Sequence, residues 1–364
     1  MNAQGTYKTA DTYFQPQAGA RRPWTPADWL GLSILLLFLV GGLSWSKWLP
    51  YWERTRELSE TSTWAGVSLF HSAGETVSVS GAWNFTVSYF GAVWKALLVA
   101  LFVAATIDAL LRRDWLIQVM NRSTALRQSL TGALFSMPSM MCTCCAAPVT
   151  AGLRRSGVSS SAALAYWVGN PLLNPAVIVF LALVLPWQFA ATRLFVSLLI
   201  ATGASALIGR WFPGRTSALS SDEDVTQLPV STAPMRFLRS LSRISRVMVP
   251  EHLITVFVMG LLSPWLTGLY DFDARFGVVA VAVAAIVGVA LVIPTAGEIP
   301  IVTALLATGV GTGTAGALLV ALPALSVPSM VMVGKALGWR SVLSMAVAVA
   351  VGAVLAGVLL MTTV

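Results

Sequence analysis

The sequence predicts an all-α polytopic membrane protein, with about seven spanning helices plus two re-entrant broken hairpins arranged as an inverted repeat. Three observations predict it. The 364 residues are 56% hydrophobic and only 10% charged, with a mean hydropathy of +0.77, and the apolar runs repeatedly reach the roughly 20 residues that a spanning helix needs. Proline and glycine interrupt two of those runs at matching places. Lys and Arg, 23 against 15 Asp and Glu, crowd into a few short connections, the bias that marks cytoplasmic loops. The net charge of +8 therefore requires no nucleic acid partner; the lipid bilayer accounts for it.

Residues 1–27 are polar, lack the apolar core of a signal peptide, and read as a cytoplasmic tail. Arg21 and Arg22 precede an apolar run at 28–46, which predicts a first helix that enters from the cytoplasm and emerges at Lys47. Residues 47–86 are rich in Ser, Thr, Gly and Glu and predict an extracytoplasmic loop with a short strand at 76–80. A second span at 87–111 returns the chain to Arg112, Arg113, Arg122 and Arg127. In 130–153, two short apolar pieces flank the cysteine run and Pro148, and Arg154 and Arg155 follow. A full crossing would put that arginine pair outside, whereas a re-entrant hairpin keeps it inside.

Spans follow at 160–185, interrupted by Asn170-Pro171-Leu172-Leu173-Asn174-Pro175, and at 188–208, which close a first repeat at 87–209. Residues 210–248 carry Asp222, Glu223 and Asp224 and then a basic amphipathic stretch from Arg236 to Arg246. They predict a cytoplasmic linker whose last part lies on the inner membrane surface. The second repeat, 249–364, offers a span at 249–270, a hairpin at 276–306 broken between Pro294 and Pro300, and spans at 312–333 and 341–360. The 28–46 helix lies outside the repeat.

The duplication rests on backbone breakers. Pro148 and Pro300 lie 152 positions apart, and the same offset sets Thr143 on Thr295, Gly157 on Gly309, Val158 on Val310 and Pro171 on Pro323. Three crossings per repeat leave the second copy upside down, so the hairpins enter from opposite sides and meet near the midplane, where transporters of this design hold their substrate.

All three cysteines, Cys142, Cys144 and Cys145, sit at the first break. In an extended connection Cys142 and Cys144 project to one side, with Cys145 beside them, and converging thiols select thiophilic centres. A closed zinc site needs about four ligands, and the histidines, His71 and His252, are remote in sequence, so neither a metal nor another cofactor is expected. Cys142 and Cys145 also have the C-x-x-C spacing of thiol redox motifs, which supports the alternative of an integral-membrane thiol-disulfide oxidoreductase. Glu298 stands in the second break. An intramembrane carboxylate is costly and points to function; it can take up a coupling proton, pair with a cationic substrate, or cap the freed N–H groups beyond Pro300. Asn170 and Asn174, beside Pro171 and Pro175, can bond the unwound backbone or the solute. Lys95 and Asp108 read as interfacial.

The run Cys142-Thr143-Cys144-Cys145-Ala146-Ala147-Pro148, then Ala151-Gly152-Leu153-Arg154-Arg155 with Gly157-Val158, then Asn170 to Pro175, resembles the predicted-permease family that includes the trivalent organoarsenical efflux permeases. A looser likeness runs through Pro294 to Pro300 and Pro323 to Pro328. The resemblance implies a multi-pass permease of the bacterial inner membrane, N-terminus cytoplasmic, with Cys142 and Cys144 as the thiophile site. The expected function is export of a small thiophilic solute, such as a trivalent organoarsenical, by alternating access around the hairpins. Whether two copies pair as a homodimer is left open by the sequence.

Overall fold

The computed structural model describes residues 24–62, 77–213, 230–267, 278–291, 293–307 and 309–364, and every regular element among them is helical. In chain order the helices are α1 (Pro26–Thr61), α2 (Val79–Ala109), α3 (Arg113–Met120), α4 (Ala125–Ser136), α5 (Thr143–Arg155), α6 (Ser160–Leu172), α7 (Pro175–Val184) and α8 (Trp187–Trp211). After them come α9 (Ala233–Thr267), α10 (Val278–Ala290), α11 (Glu298–Ala307), α12 (Thr312–Ala324), α13 (Val327–Leu337) and α14 (Trp339–Thr363). Among the described residues, six stretches are long and apolar enough to cross a membrane, and α12 with α13, bent by 49°, makes a seventh.

Three expectations give way. The first helix does not end at Lys47 but continues to Thr61. Its polar extension is helical because its charges pair along one face, with Arg54 2.6 Å from Glu57 one turn away, and it stops where Ser62 turns left-handed at φ 50°. The strand at 76–80 is replaced over its described part by a helix start: the Ser78 hydroxyl accepts from the Gly81 N–H, capping α2. Likewise the basic stretch Arg236 to Arg246 is not a separate linker segment but forms the first turns of the continuous α9. It is held there by the end of α2, where Arg236 donates to the Ala109 carbonyl and Ser240 and Arg243 both reach Asp108. The acidic knot at 222–224 lies outside the described residues.

The duplicated backbone is visible helix by helix. At the same offset, α6 falls on α12 and α8 on α14 with both ends in register, while α2, α4, α5 and α7 fall on α9, α10, α11 and α13. Gly157 and Gly309 have φ of +91° and +88°, a conformation that favours glycine. Each donates back to the carbonyl three residues earlier, Arg154 and Leu306, while Val158 and Val310 donate to Leu153 and Leu305. The two hairpins therefore end in the same helix-terminating turn.

In the first hairpin α4 and α5 have 12 and 13 residues, about 18–20 Å each at 1.5 Å per residue, too short for a hydrocarbon core of about 30 Å. Asn121, ahead of α4, accepts from the Ser159 N–H at 2.7 Å and donates to the Gly157 carbonyl at 3.0 Å beyond α5. Both ends of the segment thus meet, and the chain reverses within it. Equivalent helices pack on one another across the repeats, α2 on α9, α6 on α12 and α8 on α14, as a pseudo-two-fold relation requires. With three crossings in each copy, that relation inverts the second against the first.

Candidate functional site

The first break lies earlier than Pro148. It comprises a tight turn at Met137–Ser139 and Met140, left-handed at φ 48°, whereas Pro148 sits inside α5. Pro138 can enter the turn because its missing N–H costs nothing there. Since α5 starts at Thr143, Cys142 is its cap and Cys145 lies one turn along, and their sulfurs stand 3.1 Å apart. Cys144 turns away from them, its sulfur 3.2 Å from the Ser326 hydroxyl at the start of α13. The expectation that Cys142 and Cys144 converge is corrected: a helix, not an extended strand, governs the spacing, and residues three apart share a face where residues two apart do not. All three thiols are free and buried.

Asn170, fully buried on α6, accepts from Ser139 and from the Met141 N–H at 3.4 Å, and donates to the Tyr166 carbonyl at 2.7 Å. It ties the break of the first hairpin to the next helix. Asn174 caps α7 by accepting from the Ala176 and Val177 N–H groups at 3.1 and 3.4 Å. Pro175 then opens that helix at a position where its lost N–H is harmless. Pro171 and Pro323 sit inside α6 and α12 at equivalent places. Pro294 accepts a turn bond from the Gly297 N–H at 2.9 Å, and Pro300 lies in the first turn of α11.

Glu298 neither stands free nor caps α11. Its Oε1 lies 2.7 Å from Nη1 of Arg193 on α8, and both side chains are fully buried. The same guanidinium donates to the Leu319 carbonyl at 3.0 Å and the Pro171 carbonyl at 2.9 Å. These carbonyls are the ones whose helical partners four residues on would be Pro323 and Pro175, which have no N–H. One arginine thus fills the acceptors left by prolines in both repeats and anchors the start of α11, an arrangement suited to its planar fork of donors.

Lys47 completes the centre. It is 8% exposed and lies in a widened π-helical stretch, Ser44–Trp48, a distortion that recurs at functional sites. Its Nζ is 3.3 Å from the Thr295 hydroxyl in the second break and 3.3 Å from the Tyr51 hydroxyl. Trp48 donates to the Pro138 carbonyl at 2.8 Å, seating α1 on the tip of the first hairpin. Adjacent residues of α1 thus touch both breaks, Trp48 the first and Lys47 the second, while Cys144 with Ser326 joins the first hairpin to the start of α13.

Lys95 lies against the Trp45 and Trp94 rings, and Asp108 is bound by Arg155, Ser240 and Arg243. His252 is buried beside Tyr89 and Phe90, with ring centroids 5.7 and 5.3 Å away; His71 lies outside the described residues. Among the described residues, no three His, Cys, Asp or Glu side chains gather to hold a metal.

A family model described as a predicted permease, ArsP_1, matches residues 78–362. The chain belongs to this predicted-permease family. The UPF0718 protein YraQ of Escherichia coli K12 is 35% identical to the permease over 353 residues, covering 92% of this chain and 95% of the relative. The UPF0718 protein MJ0584 of Methanocaldococcus jannaschii is 21% identical over 308 residues, covering 67% of this chain and 84% of that one. No solved structure matches. The family and the apolar helices make the permease a multi-pass membrane protein. Lys47 lies on α1, ahead of the residues the family model matches.

Lys47 and Arg193 are the buried cations of this centre that reading the sequence missed. Arg193 had a signal: it is a cation in the middle of a span, as expensive in a bilayer as Glu298.

Proposed function

We propose that the permease is a secondary-type transporter of the inner membrane that exports a small thiophilic solute, such as a trivalent organoarsenical, by alternating access around its two broken hairpins. The observation that supports this most is the thiol pair Cys142 and Cys145, with sulfurs 3.1 Å apart at the break of one hairpin, which Trp48 and Lys47 of α1 bridge to the break of the other. Two neighbouring soft sulfurs suit a trivalent arsenic centre, which forms bonds to thiolates readily. Asn170 and Asn174 hold the geometry of the break and of α7.

Glu298 serves coupling in this reading only after its pair with Arg193 opens. Protonating it in place would strand a buried guanidinium, so proton uptake accompanies the conformational change. In everted vesicles, phenylarsine oxide is taken up by the wild type, and Cys142→Ser or Cys145→Ser reduces the initial rate by about tenfold or more, one lost ligand being worth more than 1.4 kcal/mol. Cys144→Ser, whose sulfur faces Ser326, reduces it less. Normal rates in the Cys142 and Cys145 variants would remove the ligand role.

The placement of Cys142 and Cys145 at a helix N-terminus beside a lysine also favours a second reading, a membrane thiol-disulfide oxidoreductase. It requires a mixed disulfide with a soluble thiol protein, trappable in the Cys145→Ser variant.

A further inference from the structure

The first helix stands outside the repeat and brings one charge into the centre. Lys47 is nine-tenths buried and reaches the turn that precedes α11, while its neighbour Trp48 bonds the Pro138 carbonyl at the tip of the hairpin that carries the thiol pair. Among the described residues no carboxylate pairs with it; its hydrogen-bond partners are the hydroxyls of Tyr51 and Thr295. The other charges at this place, Arg193 and Glu298, cancel each other. A buried ammonium without an anion is an unstable arrangement at membrane depth. The N-termini of α5 and α11, ten residues or longer, open at the same place, and their partial charges are positive as well. Among the described residues, the fixed charges left over at the meeting of the hairpins are positive.

We infer that Lys47 is the charge-recognising residue of the solute site, and that the cargo is a thiophilic solute carrying a negative charge: its soft centre meets Cys142 and Cys145 while its anionic group meets Lys47. This deepens the permease reading and rests on it. Hydroxyls of Tyr51 and Thr295 hold the ammonium in place, and arrival of the anion supplies a counter-charge that no carboxylate among the described residues provides. Because the π-helical turns set Lys47's position, α1 takes part in selecting the solute as well as in anchoring the chain.

The test uses the purified full chain in lipid nanodiscs and two alkylating reagents with the same leaving group, iodoacetate, which is anionic, and iodoacetamide, which is neutral. Labelling of Cys142 and Cys145 is followed by peptide mass spectrometry, and the ratio of the two rates is compared with that for N-acetylcysteine. The expected wild-type ratio exceeds the free-thiol ratio by about tenfold or more in favour of iodoacetate. Lys47→Gln returns it to the free-thiol value, and Lys47→Arg, which keeps the charge, preserves most of it. A wild-type ratio equal to that of the free thiol, a measurement that needs no variant, overturns the inference; so does an elevated ratio that Lys47→Gln leaves unchanged. Cysteines that neither reagent labels would overturn the solute path and both readings together. A parallel vesicle assay with phenylarsine oxide and its 4-carboxy derivative separates them: an elevated, Lys47-dependent labelling ratio with neither arsenical moved would sink the arsenical reading alone.

Discussion

The buried pair of Arg193 and Glu298 yields the sharpest quantitative prediction. Glu298→Leu removes the carboxylate 2.7 Å from a guanidinium that has no exposure to solvent. An uncompensated buried charge costs about 3–5 kcal/mol. Arg193→Met removes the charge that Glu298 needs and also strips the Pro171 and Leu319 carbonyls of their donor. Each buried unsatisfied carbonyl adds about 1–3 kcal/mol, so this variant is the least stable of the set. The double variant keeps the carbonyl loss but strands no charge, so it is less damaged than Arg193→Met alone. Each single variant strands one charge and the double variant strands none, so the coupling energy in the cycle should be at least about 3 kcal/mol, the upper end of what neighbouring residues ordinarily show. Reversible unfolding in mixed micelles, followed by tryptophan fluorescence, measures it. Additive single effects would refute the pairing, and a double variant less stable than Arg193→Met would refute the reasoning about stranded charge.

Two further predictions concern the backbone and the connection after α2. Gly309 has φ +88° and open space around its missing Cβ, so Gly309→Ala isolates a conformational cost of about 1–2 kcal/mol; Gly157→Ala costs more, because its Cβ would also stand 2.9 Å from Ile117 Cδ1. The same unfolding assay ranks them, and equal losses would contradict the packing. Asp114, which follows Arg112 in that connection, has its carboxyl held below the ordinary aspartate range by hydrogen bonds and charge from Arg112. Its folded value is depressed, so its stabilisation is present above the ordinary aspartate value and is lost as pH falls through the lower folded one. Asp114→Asn should flatten that acid limb, and an unchanged acid unfolding profile would show that the contact is not made in solution.

The repeat was legible because proline and glycine constrain backbone directly. Gly157 and Gly309 are glycine since each needs the same positive φ, and Pro171 and Pro323 interrupt the same ladder. Side-chain convergence was not legible in this way. Cys142 and Cys144 look paired in an extended chain, but the start of α5 at Thr143 exchanges Cys144 for Cys145. Lys47 follows Ser-Trp-Ser at the end of an apolar run, the profile of a residue leaving the membrane. Only the continuation of α1 through Arg54 and Glu57, set by pairing along a helix face, keeps it inside. Arg193 sits among Trp187, Phe189, Leu194 and Phe195, and nothing nearby in sequence shows that its acceptors are carbonyls from both repeats.

The arginine that fills those carbonyls belongs to one repeat only; its counterpart at the 152-residue offset is Met345. Two copies with identical chemistry would make the inward-facing and outward-facing forms mirror images of equal free energy. Here one form can be held by a bidentate clamp that the other has no residue to rebuild. Every 1.4 kcal/mol of that inequality is a tenfold bias in resting population. In the alternating-access cycle proposed above, divergence after duplication would therefore give a preferred resting pose, and the solute, or an ion travelling with it, would have to supply the difference on each cycle.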